Sequence, residues 1–149
     1  MADVNSIYRP QSGLGSVGAY MVSGHPFITG SGAGPAGNGV GMGAGVEDQI
    51  KFPYVTQKVT VIASGSSEIR VSFASQATAA VNTGRHYVSL STDGAIDGIT
   101  FEVKCKEIFI KNMSGAKAGY TVIAELTPIP TGNMYNLSGD GIDHPAATT

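Results

Sequence analysis

Glu68-Ile69-Arg70-Val71-Ser72-Phe73 decides how this chain folds. Ile69, Val71 and Phe73 share one parity, and Glu68, Arg70 and Ser72 share the other. That two-residue period is the pattern of a β-strand with one buried and one wet face. The same alternation continues outward. Val55, Val59 and Val61 stand against Thr56, Lys58 and Thr60, and Val88 and Leu90 against Tyr87 and Ser89. Ile99, Phe101 and Val103 alternate with Thr100, Glu102 and Lys104. Tyr120, Val122, Ala124 and Leu126 form a last apolar face opposite Thr121 and Glu125, and Ile123 breaks the polar side of that strand. An apolar residue at an outward position makes Ile123 a candidate contact residue.

After Val103 the parity switches, because Cys105 continues the odd set whereas Ile108 and Ile110 are even. A bulge or short break near Lys106 is the expected cause. Turn residues separate the runs: Ser64-Gly65-Ser66-Ser67, Asn82-Thr83-Gly84, Thr92-Asp93-Gly94, Asp97-Gly98, and Asn112 to Gly119. Short strands at this spacing predict an all-β fold, a compact antiparallel β-sandwich of about seven or eight strands. It is expected over residues 46–127. Gln76 to Val81 is read as a helical turn or a loop, too short to be a helix on its own.

Outside that middle the character changes. Residues 1–45 show neither a two-residue nor a 3.6-residue period, and Gly30 to Gly45 is low-complexity. This reads as a long, extended, Gly-rich N-terminal arm. Pro128 and Pro130 remove donors and are expected to end strand pairing, leaving residues 128–149 as an extended C-terminal tail. The arm nevertheless carries Ile7, Tyr8, Leu14, Val17, Tyr20, Met21, Val22, Phe27 and Ile28, too apolar a set for a solvated tail, and His25, before Pro26 in an extended stretch, is read as a further contact residue. Ordering about 45 residues costs roughly 1 to 2 kcal/mol each in backbone entropy. Those few side chains could hardly offset this on one subunit, so they are expected to contact neighbouring subunits.

Composition excludes several functions. Nine Lys and Arg against eleven Asp and Glu give a net charge of -2, with no overall positive field for nucleic acid. Charged residues are only 13 % of the chain and glycines number 21, which suits burial against partners, including copies of the same chain. No run of apolar residues is long enough for a membrane span. The start, Met1-Ala2-Asp3-Val4-Asn5, has no basic or apolar signal region, so synthesis in a cytoplasm is expected. The single cysteine, Cys105, permits no internal disulfide. Its parity with Phe101 and Val103 predicts a buried, structural thiol.

The chemical motifs are weak. His25, His86 and His144 are scattered, with no Cys or carboxylate at metal-ligand spacing, so no metal or other cofactor is expected. Gly32-Ala33-Gly34-Pro35-Ala36-Gly37 matches a dinucleotide-binding spacing but lacks the preceding strand and following helix, and reads as spacer. Asp93 with Asp97, and Asp140 with Asp143, are read as turn residues. Asn112-Met113-Ser114 and Asn136-Leu137-Ser138 match the glycosylation acceptor by chance. No serine stands in a nucleophile-elbow pattern, and no catalytic constellation emerges.

The segment Tyr8-Arg9-Pro10-Gln11-Ser12-Gly13-Leu14-Gly15-Ser16-Val17-Gly18-Ala19-Tyr20, continuing through Ser23-Gly24-His25-Pro26-Phe27-Ile28-Thr29-Gly30-Ser31, resembles small virion structural proteins of tailed bacteriophages, notably of marine and cyanobacterial hosts. Phe101 to Ile110, Ala124 to Pro130, Met134-Tyr135 and Ser138 to Ile142 add to the likeness. The resemblance implies a non-enzymatic virion component. A capsid decoration or cement protein, binding the phage major capsid protein or other virion proteins, is the leading expectation. A neck, tail or baseplate subunit and a host-glycan-binding module are the alternatives.

Overall fold

A computed structural model describes residues 13–21, 24–31, 41–64, 68–77, 81, 86–91 and 97–137. A five-residue helix, α1 (Val17–Met21), precedes eight strands: β1 (His25–Ser31), β2 (Glu47–Lys51), β3 (Tyr54–Ser64), β4 (Glu68–Ser72), β5 (Val88–Ser91), β6 (Asp97–Phe101), β7 (Glu107–Asn112) and β8 (Gly119–Pro130). They form two four-stranded antiparallel sheets, ordered β1-β8-β3-β6 and β2-β7-β4-β5. The protein is an all-β sandwich.

The order has a simple logic. β4 pairs with β5, β3 with β6, β2 with β7 and β1 with β8, so the chain is one long hairpin, folded at its middle. Rolling that hairpin up adds the pairs β3·β8 and β4·β7 and closes each sheet. This is the jelly-roll arrangement, one of the ways an all-β chain limits its exposed edges. The inward residues meet between the sheets. Val59, Val61, Val122, Ala124 and Leu126 come from one sheet, and Ile50, Ile69, Val71, Leu90, Ile108 and Ile110 from the other. The parities read from the sequence are those that fill this core.

The parity switch after Val103 has a different cause from the bulge expected there. β6 belongs to one sheet and β7 to the other, and the chain crosses between them through residues 102–106. Thr56 holds the crossing. Its Oγ1 donates to the Val103 carbonyl at 2.8 Å and accepts from the Cys105 N–H at 3.0 Å. The register irregularities lie instead in β3·β8, on either side of Thr56.

β8 also runs through Pro128 to Pro130, past the expected stop at Thr127. The irregular register explains how it does so. The buried Thr127 hydroxyl donates to the Val55 carbonyl at 2.7 Å and accepts from the Ile129 N–H at 3.2 Å, standing in for ladder bonds that proline cannot make. At the other end, β1 lies within the stretch expected as arm. Phe27 points inward and meets Phe52 edge-to-face at 5.3 Å between centroids. Pro26, the second residue of β1, is tolerated because β1 is an edge strand.

Candidate contact face

The two outer faces of the sandwich differ sharply. Outward positions on β2-β7-β4-β5 carry Glu47, Lys51, Glu68, Arg70, Glu107 and Lys111. The chain itself covers part of this side. Ser75 Oγ and the Gln76 N–H donate to the Glu47 carboxylate at 2.6 and 2.7 Å, and the Arg70 guanidinium lies 4.2 Å from the Tyr87 ring centroid. Gln76 and Val81, in the stretch read as a helical turn or loop, are buried.

The outer face of β1-β8-β3-β6 has no such layer among the described residues. One row across it is Ile28, Ile123, Thr60 and Thr100, which are successive register partners. Ile28 is 68 % exposed and Ile123 38 % exposed. The Thr60 and Thr100 hydroxyls, 2.9 Å apart, hydrogen-bond to each other. The next row is Gly30, Thr121, Ile62 and Gly98. Within the paired strands, charge enters in the row of Pro26, Glu125 and Lys58, where Lys58 and Glu125 pair with each other at 3.6 Å, and the exposed Glu102 follows the end of β6. The result is a β-branched surface with few charges.

Gly30 keeps one corner of this surface low. A Cβ there would come within 2.5 Å of the Tyr120 carbonyl oxygen, so no larger residue fits without moving β1.

A second apolar pair stands on α1. Val17 and Met21, one helical turn apart, are 71 % and 80 % exposed. The opposite side of α1 is anchored where β3 begins and β8 ends: Ala19 is buried with Val55, Ile129 and Met134, and Leu14 and Tyr20 pack against them. Tyr20 donates to the Leu14 carbonyl at 3.1 Å.

The residues expected to contact other subunits therefore divide. Ile28 and Ile123 come together as cross-strand neighbours, and Val17 is outward. Leu14, Tyr20 and Phe27 are used within the chain's own packing, a role that the arm reading missed. His25 is exposed on β1, its ring 6.5 Å from that of Tyr54. Ile7, Tyr8 and Val22 lie outside the described residues, as do most of the Gly-rich segment and the tail beyond Leu137.

The chemical groups behave as structure. Cys105 is buried, and its thiol is pushed up to about 11, chiefly by burial, with the Thr56 hydrogen bond opposing and Glu107 adding to the shift. Asn112, in the first glycosylation-like triplet, is buried. Its amide donates to the carbonyls of Met42 and Gly43, each at 3.0 Å, and of Ala116 at 2.7 Å, which leaves no free nitrogen for a sugar. Among the described residues no three His, Cys, Asp or Glu side chains gather to hold a metal ion, and no helix is long and apolar enough to cross a membrane. Comparisons with protein-family models, curated proteins and solved structures each return no match to this chain.

Proposed function

We propose that this protein is a non-enzymatic structural subunit of a phage particle, a decoration or cement protein that docks on the head through the outer face of β1-β8-β3-β6. The observation that carries the reading is the pairing of exposed Ile28 with exposed Ile123 on a face almost free of charge, while the opposite face is charged and partly covered. A surface with few charges pays little desolvation penalty when it is buried, and its β-branched side chains are restricted in rotamer. Val17 and Met21 offer a second apolar anchor. The jelly roll is an architecture of viral capsid proteins and also of sugar-binding domains, a fold-level analogy consistent with the sequence resemblance.

The test is stoichiometric. Purified protein added to phage heads that lack it is expected to co-sediment at a copy number on the order of hundreds, following the symmetry of the shell. A single ring's worth of copies would place it in the neck or tail, and failure to bind any particle would overturn the reading.

A further inference from the structure

We propose that a polar cleft at the edge of the sandwich binds an acidic sugar, a pyranose unit bearing one carboxylate. The cleft has a volume of about 440 Å3 and is built from three separate stretches of chain: the end of β2, the start of β7 and the segment following β8. The volume lies within the range of about 300 to 1,000 Å3 of small-ligand sites. Its position and chemistry are independent of the neutral contact face.

The lining selects the ligand class. Phe52, the only aromatic residue among the described lining residues, is buried, so a flat apolar ligand finds no stacking surface on them. The remaining groups interleave donors and acceptors. Gln49 Nε2 donates to Glu107 Oε2 at 2.6 Å, which fixes the carboxylate and leaves its remaining lone pairs to accept. Lys106 Nζ donates to Asn136 Oδ1 and reaches the Met134 carbonyl at 3.5 Å, which turns the Asn136 amide nitrogen into a free donor. Thr131 also borders the space. Sugar hydroxyls each donate and accept at once, so they suit a wall of this kind better than a purely cationic or purely acidic one.

Charge sets the remaining requirement. Lys51 and Glu107 are register partners on β2 and β7, yet no ion pair joins them, and Lys51 has no hydrogen-bond partner among the described residues. With Lys51 and Lys106 against Glu107, the described lining of the cleft carries one excess positive charge. A ligand carboxylate on Lys51 balances it, while the ring hydroxyls meet Glu107, Asn136 and Thr131. Because Glu107 and Asn136 are already held in place, little ordering remains to be done on binding.

Titrating the isotopically labelled full-length protein with sodium galacturonate, and following the amide spectrum, tests this. Saturable shifts are expected at Gln49, Lys51, Glu107, Thr131 and Asn136, with a Kd of about 1 mM. Lys51→Gln should weaken binding about tenfold, the loss of one charge-assisted contact. Glucose and sodium acetate should each bind at least tenfold more weakly, because each lacks half of the recognised chemistry. Tighter binding of a galacturonate trimer would identify a polysaccharide as the source, and equal binding a free sugar. Absence of saturable shifts, shifts located elsewhere, or acetate matching galacturonate would overturn the proposal. Particle binding by Lys51→Gln should stay at the wild-type level, so the two readings fail separately.

Discussion

Lys104 and Tyr20 are clasped together: the ammonium lies 4.2 Å from the Tyr20 ring centroid and donates to the Leu14 carbonyl at 2.8 Å. This joins the helix α1 to the crossing between β6 and β7, so the crossing loop that lets the chain change sheets also fastens the N-terminal segment. A five-residue helix is too short to persist alone. Its order comes from Ala19, Leu14 and Tyr20 against the sandwich, and from Lys104.

Replacing Lys104 with Met keeps the aliphatic stem and removes the charge. The cation–π and hydrogen-bond terms together are worth about 0.5 to 1 kcal/mol at an exposed site. Chymotryptic cleavage after Tyr20 should therefore speed up about twofold to fivefold, with global unfolding almost unmoved. An unchanged cleavage rate would show that the clasp contributes nothing.

Asn112 is the most heavily used polar side chain of the interior. Besides its three carbonyl partners, its Oδ1 accepts from the Ser114 N–H at 2.9 Å and the Ser114 hydroxyl at 2.8 Å. It thereby ties β7 to the turn before β8 and to the chain around Met42. Asn112→Ala leaves these groups without partners inside the fold. A loss of about 2 to 4 kcal/mol in urea unfolding is expected, and a loss under about 0.5 kcal/mol would contradict this network.

Cys105 and Tyr120 make stability fall in alkali. Burial raises both, and for Tyr120 the hydrogen bond to Asp48, at 2.8 Å, and the charge of that carboxylate raise it further. The folded state keeps the thiol protonated up to about 11, against 9.0 for a free thiol. The unfolded chain therefore releases protons first, and stability is fully present below pH 9 and declines as pH rises through about 11. Cys105→Ala should flatten much of that decline. Because native Cys105 is buried and its thiol is held protonated, a disulfide reagent should modify it only after unfolding.

The strands were legible in the sequence wherever one face is wet, because alternation reports burial directly. What alternation cannot report is the partner. The parity switch near Lys106 therefore looks like a bulge in one strand, although it marks a change of sheet. β1 was hidden by Pro26 and Gly30, which punctuate a run that otherwise has strand residues, and by the Gly-rich segment after it. Ile123 was visible as an exposed apolar residue because it violates its own strand's pattern. Its pairing with Ile28 is a register property of the first and last strands, which no local window contains. The polar cleft was invisible for the same reason, since its groups come from three distant stretches.

The central claim is that the neutral face docks the subunit, and the most direct measurement is capsid binding by Ile28→Thr/Ile123→Thr. Threonine keeps the β-branch, so stability should stay within about 1 kcal/mol of the parent. Affinity for heads should fall about tenfold or more, as two apolar contacts are lost. Lys111→Thr, on the opposite face, should bind as the parent does. Full binding by the double variant, with loss in Lys111→Thr, would contradict the account.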